Sequence, residues 1–417
     1  MSQGLLLETE AKQDVIAGVG TAFIALCMGH LVVDSLATLL PASLGLIEVR
    51  SGLTSEQSAW LMGLGSLTSG LAQPVCALIS DRYRSRFLTV AGIAIAGIGF
   101  AFLGLAKTSA LLSFTYMMGM IGNGMFHPIA ATTVAQLYRH RRNAAASTFF
   151  VAGMVGGVMG AMLWPRWLST SEGFDTLPYI AIPCVLLAFV VHRCQMALPA
   201  VRVHSKQDID LTLLGRNWKD VKYLYLSSML RYCVNTALVY LFVRWSQEEV
   251  VHLVQNDGLL REGAWSAEKI ANESAPIVGN LNAAMILGMA VGGILAGKLV
   301  LLNRERSPMI WVPLVFSPVV ALFPYMSVGA SYVLAFLAGM GFSSMIPISI
   351  ALAQHLLPHR ANLASSLMMG GAWTVATIGP PCAEFGVTHW GLNVTFLLTS
   401  GVLALSGLVC IGISRSG

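Results

Sequence analysis

The sequence predicts an all-α membrane protein: twelve transmembrane helices arranged as two pseudo-symmetric six-helix bundles. Three observations carry that prediction. The composition is 55% hydrophobic and only 11% charged, whereas soluble domains are about a quarter charged. Apolar stretches long enough to cross ~30 Å of hydrocarbon recur along the whole chain. The second half echoes the first at a fixed offset of 219 residues.

A chain of 417 residues with so little charge cannot cover a water-facing surface. The lipid bilayer is the partner that tolerates it, and the mean hydropathy of +0.70 agrees. The 41 glycines suit closely packed membrane helices. The net charge of +5 comes from Lys and Arg scattered over short loops, so no nucleic-acid partner is expected. The seven cysteines (27, 76, 184, 194, 233, 382 and 410) fall mostly in apolar segments without CxxC spacing. Neither a metal site nor a disulfide framework is predicted from them. Glu8, Glu10, Lys12 and Asp14 precede an apolar run too long for a signal peptide, so that run is expected to stay as the first span.

The expected spans are 15–42, 54–79, 87–106, 110–138, 144–165, 177–195, 221–245, 275–301, 309–326, 332–355, 364–386 and 392–413. An even number puts both termini on one side. With the N-terminus inside, the cytoplasmic segments hold eighteen Lys and Arg and the opposite side holds six. The positive-inside rule therefore predicts cytoplasmic termini, in a multi-pass protein of the inner (plasma) membrane. Residues 1–195 form the N-terminal bundle, 196–220 a basic cytoplasmic linker, and 221–417 the C-terminal bundle. Residues 246–274 read as a long acidic extracytoplasmic loop with a short helix near 247–255, a candidate lid or contact surface.

The duplication is clearest around the loop after span four. At the offset of 219, Gly122 meets Gly341, Pro128 meets Pro347, and His140, Arg141, Asn143 and Ser147 meet His359, Arg360, Asn362 and Ser366. Two parallel six-helix halves around a central site are one architecture used for alternating access.

Ionisable groups inside a span cost a few kcal/mol on insertion scales, so the few present are the functional candidates. His30 and Asp34 are four apart and share one face of span one. Burial and a neighbouring cation act on such a carboxyl in opposite directions, which suits a proton-coupling device. His127 lies in the middle of span four, one turn after Asn123, and titrates near neutrality. Arg231 is the one Arg placed inside a span, with Asn235 one turn later. Its planar fork suits a carboxylate, phosphate or phosphonate. Gln73, Asn280 and Asn282 are amide candidates for substrate contact or helix–helix hydrogen bonding. Glu384, after Pro380-Pro381, reads as a rim or gate residue. Gly153, Gly156 and Gly160 present a smooth face of span five for close packing.

The segment Ala77-Leu-Ile-Ser-Asp81-Arg82-Tyr-Arg84-Ser-Arg86, in the loop after span two, resembles a signature of the major facilitator superfamily. Ala77 and Arg84 stand where that signature usually has glycines. The resemblance implies the major facilitator fold, a cavity lined by spans one, four, seven and ten across which Arg231 would face and pair with Asp34, and a gating role for Asp81, Arg82 and Arg86. Gly29-His30…Asp34, Gln73-Pro74 and Phe126-His127-Pro128 further resemble the fosmidomycin-resistance branch. Ile129 departs from that branch, where a glutamate is expected.

The expected function is secondary active transport: proton-coupled export (antiport) of a small polar or anionic compound or drug. Arg231, His30, Asn123, Asn235 and Gln73 would bind substrate, and Asp34 and His127 would exchange protons. Uptake by proton symport of a small organic anion, or a sensor or scaffold on a carrier fold, are the alternatives. No Walker A sequence, HExxH or nucleophile elbow occurs. No enzyme activity and no cofactor is therefore expected, and the carrier is expected to be a monomer.

Overall fold

The structure is a computed structural model that describes residues 2–83, 87–138, 142–196, 212–256, 265–300, 304–357, 364 and 367–414. Among the described residues the chain is helical throughout, and its helices follow the twelve expected spans. Ten segments are both long and apolar enough to cross a membrane. The other two have physical reasons to differ. Span four, Ser109–Leu137, carries Asn123, His127 and internal Pro128. Span eleven is broken into a π-turn at Leu367–Gly371, a turn at Ala372–Val375, a 3-10 turn at Ala376–Ile378 and a helix at Gly379–Trp390. Pro380 and Pro381 cannot donate backbone hydrogen bonds there.

Local chemistry sets several boundaries. Thr108 caps span four by accepting a hydrogen bond from the Leu111 amide, and Ser266 caps span eight from the Lys269 amide. Span one, Ser2–Ala37, continues through the short helices Leu39–Ala42 and Leu44–Ser51. Gly52, at φ +60°, ends the last of these in the left-handed conformation that glycine tolerates best. This turn fixes where Glu48 sits at the end of the bundle opposite the termini.

Within the acidic loop expected at 246–274, the short helix expected near 247–255 is present, as the end of a longer one. Span seven runs unbroken from Thr212 to Asn256, and span eight starts at Ala267. Ser246, Val250 and Val254 are buried at four-residue spacing, so one face stays packed against the protein and the helix continues to Asn256. Glu248, Glu249 and His252, on the other faces, gave the segment its loop-like polarity. Only 257–264 of that stretch lies outside the described residues. The linker expected at 196–220 likewise shortens, because helix resumes at Thr212, and 197–211 lies outside the described residues.

The two halves meet along two seams, span two against span eleven and span five against span eight. Small residues permit close approach within each half. A methyl group at Gly156 or Gly160 would collide with the carbonyls of Leu31 and Ser35 on span one. The glycine face expected on span five is thus a packing surface, and it holds span five against the helix that carries His30 and Asp34.

Candidate functional site

Between the halves lies a cavity of about 370 Å³. Spans one, two, four and five face it from one side, and seven, eight and eleven from the other. His30, Asp34 and His127 are its titratable groups, and Gln73, Asn123, Asn235 and Asn282 its amides. Tyr116, Phe150, Tyr232 and Trp373 supply aromatic wall, and six methionines add adaptable apolar surface. Among the described residues, no Lys or Arg lines it.

The titratable groups form one hydrogen-bonded unit. Asp34 Oδ2 is 3.2 Å from His30 Nε2, and Asp34 Oδ1 is 2.9 Å from His127 Nε2. His30 is buried and stacks on Phe149, with ring centroids 4.1 Å apart. Asp34 and His127 keep 27% and 20% of their side chains exposed, so both reach the cavity. Each imidazole is anchored at its far nitrogen. His30 Nδ1 lies 2.7 Å from the Phe149 carbonyl, and His127 Nδ1 lies 2.8 Å from the Asn123 carbonyl. Asn123 is held in turn by the Ser69 hydroxyl at 3.0 Å.

Those anchors fix the proton count. A carbonyl oxygen only accepts, so each Nδ1 must donate. In a neutral ring that leaves Nε2 as a bare acceptor, facing a carboxylate that is also an acceptor. Each Nε2···O contact therefore needs its own proton, on the ring or on the carboxyl. Two such protons would bring the unit to a net charge of +1, and without them it carries −1. The three ligand-type atoms lie within 4.8 Å of one another, so they have room for a small cation as well. The 2.9 Å contact of His127 is a hydrogen bond, and the 3.2 Å contact of His30 lies at ion-pair distance.

Of the expected site residues, His30, Asp34, Gln73, Asn123, His127 and Asn235 all come together around this cavity. Asn235 is also 3.8 Å from the Met289 sulfur. Arg231 does not join them. It is turned away from the cavity toward Ser228 and Ser349 inside the C-terminal half, so the expected pairing with Asp34 is corrected. Successive helix residues differ by about 100° in direction, and the neighbour Tyr232 takes the cavity-facing place. Arg86 and the side chains of Asp81 and Arg82 lie outside the described residues.

Glu384 belongs to a second polar cluster, at the bundle end opposite the termini. Its Oε2 accepts from the Tyr240 hydroxyl at 2.5 Å, and that hydroxyl accepts from Arg244 Nε at 2.7 Å. Arg244 spans the two halves by gripping both carboxylate oxygens of Glu48, one of them at 2.8 Å. Arg166 adds a cross-half hydrogen bond to Asn280 at 2.9 Å. Among the described residues, every hydrogen bond and ion pair between the halves lies at this end. Sequence reasoning missed Glu48 and treated Arg244 as a loop charge. The one available signal was that each ends an apolar run.

The model of the Major Facilitator Superfamily matches residues 21–254 and 224–416 of the chain. The fosmidomycin resistance protein of Escherichia coli (strain K12) is 23% identical over 403 residues, which is 93% of this chain and 91% of that protein. The uncharacterized MFS-type transporter YfnC of Bacillus subtilis (strain 168) is 20% identical over 382 residues, 90% of each chain. Among solved structures, a bacterial homolog of the human lysosomal transporter Spinster, inward-facing and occupied, superposes with a TM-score of 0.67. It is 16% identical and the match covers 95% of this chain and 96% of that one. A point mutant of the nucleoside transporter NupG superposes at 0.69, with 12% identity and coverage of 94% and 99%.

Proposed function

The chain belongs to the Major Facilitator Superfamily and is a multi-pass membrane transporter, and from that premise we propose that it exports a small polar or drug-like compound in exchange for protons. The observation that carries the reading is the His30–Asp34–His127 unit on the wall of the cavity between the halves. Protons and substrate compete for one place. The unprotonated unit, at −1, attracts a neutral hydrogen-bonding or cationic substrate, and two protons arriving at +1 displace it. Gln73, Asn123 and Asn235 orient the polar groups of the substrate, while the methionines and aromatic rings accept varied apolar surface. The name of one relative, the fosmidomycin resistance protein, supports the outward direction.

With cytoplasmic termini, the Glu48–Arg244 end faces outward, and the present form is the one closed to the outside. Alternating access then requires the Glu48–Arg244 and Arg166–Asn280 contacts to part. Asp81, Arg82 and Arg86 would close the opposite end.

A second reading follows from the same proton count. The doubly protonated unit, at +1, would accept an organic anion, and anion and protons would then move together as a symport. A binding screen separates the two. Thermal stability of the purified carrier is measured against polar drugs, lipophilic cations and organic anions at two pH values. Antiport predicts neutral or cationic hits that weaken as pH falls. Anionic hits that strengthen as pH falls would replace the antiport reading with symport.

Gly153 gives a local test of the unit. A Cβ there would meet His30 Nε2, and Asp34 Oδ2 at 2.5 Å, whereas a Cβ at Gly157 would meet only Ile286 at an ordinary 3.5 Å. Gly153→Ala should separate the His30–Asp34 pair and cost about 1–3 kcal/mol of stability. Transport of the best hit should fall sharply in Gly153→Ala and stay near the parent level in Gly157→Ala. Equal transport by both variants would show that the pair can be displaced without consequence.

A further inference from the structure

We infer that the C-terminal half holds a small monovalent anion, chloride or a halide of similar size, against Arg231. The inference is independent of the transport reading above. Arg231 is 3% exposed, in the middle of span seven. Its Nε donates to the Ser227 carbonyl at 3.3 Å, and its Nη2 donates to the Ser228 hydroxyl at 3.1 Å and the Ser349 hydroxyl at 2.8 Å. A guanidinium carries five N–H groups, and these bonds use three of them. Nη1, which carries the other two, has no acceptor among the described residues. None of the ion pairs among the described residues includes Arg231.

The guanidinium borders a void of about 10 Å³, together with Tyr232, Phe342, Ile346 and Met368. That is the least space that admits a water, and a halide, which is larger, enters as the flexible Met368 side chain gives way. A water would satisfy an N–H but would leave a buried cation without a counter-charge, which is the costly arrangement. A halide satisfies both needs. The Ser228 hydroxyl donates only to the weakly accepting Met368 sulfur, at 3.9 Å, and can turn to donate to the anion instead. Ser349 donates to the Met345 carbonyl at 2.7 Å and so keeps Nη2, rather than the anion, as its partner. Phosphate, phosphonate and carboxylate-bearing compounds are too large for the void, so it is separate from the transport cavity. Tyr232 borders both, so the halide steadies one wall of that cavity from behind.

The experiment measures thermal stability of the purified carrier in chloride, bromide or gluconate at constant ionic strength. The expected result is a saturable rise in Tm with chloride and with bromide, and none with gluconate. Arg231→Gln should abolish the halide dependence, and Ser349→Ala, which loosens the guanidinium, should weaken the apparent affinity about tenfold. Should Arg231→Gln fail to fold, crystals of the parent grown in bromide decide the matter. An anomalous peak within hydrogen-bond distance of Arg231 Nη1 supports the site. A water in that place, or a Tm indifferent to halide, overturns it.

Discussion

Asp34→Asn is expected to fold normally and to reduce proton-gradient-driven transport to the level of protein-free vesicles. Among the described residues, the carboxylate is the one ionisable group that contacts both imidazoles, at 3.2 and 2.9 Å. Asn has nearly the same shape, and its amide can donate to one bare Nε2 while its oxygen accepts from the other ring once that ring is protonated. The hydrogen bonds survive, but at most one exchangeable proton remains where the native unit holds two. Energy-independent exchange of substrate across the membrane should persist, because the cavity wall is otherwise unchanged. The measurement is substrate flux in proteoliposomes with and without an imposed pH gradient. A variant that still accumulates substrate against its gradient would remove Asp34 from the coupling mechanism.

Arg244→Ala is expected to be the most destabilising single change at the seam between the halves. It strands Glu48, whose side chain is only 9% exposed, without its bidentate partner. Removing one member of a buried ion pair costs about 3–5 kcal/mol, mostly because the other charge stays buried. Glu384 and the Tyr240 hydroxyl lose the cation beside them at the same time, while Tyr240 keeps its own bond to the Ser55 carbonyl at 3.2 Å. Beyond the lowered Tm, the halves should separate at this end, read as a longer distance between spin labels placed on the two bundles near Glu48 and Arg244. Glu48→Gln should open the same end with a smaller loss of stability, since no carboxylate is then stranded. A double-mutant cycle isolates the pairwise contribution. Unchanged label distances in Arg244→Ala would mean that the cluster stabilises the fold without holding the end closed.

The parts of this architecture that repeat locally were legible in the sequence. Spans show as apolar runs, and His30 and Asp34 share a face through simple i,i+4 spacing. The positions of His127, Gln73, Asn123 and Asn235 within spans marked them as costly polar groups, and all of them border the cavity. Contacts between distant segments were not legible. His127 and Asp34 are 93 positions apart, and Glu48 and Arg244 are 196 apart. Arg231 shows a subtler limit. Its depth in the membrane follows from sequence, but its direction around the helix axis depends on how span seven is rotated in the bundle, and Tyr232 rather than Arg231 faces the cavity. The segment after Arg244 was expected to hold a short helix near 247–255, and only its continuity with span seven was missed. Its polar residues hid the spaced stripe of Ser246, Val250 and Val254 that keeps it helical.

The central claim is that substrate and protons exchange places at the His30–Asp34–His127 unit. The most direct measurement loads proteoliposomes with a compound from the binding screen and a pH-sensitive dye, then dilutes them so that substrate flows outward down its own gradient. The account predicts that this outflow drives protons inward, that the lumen acidifies in step with substrate loss, and that Asp34→Asn uncouples the two. Substrate outflow with no change in lumenal pH, or with protons leaving alongside it, would contradict the account.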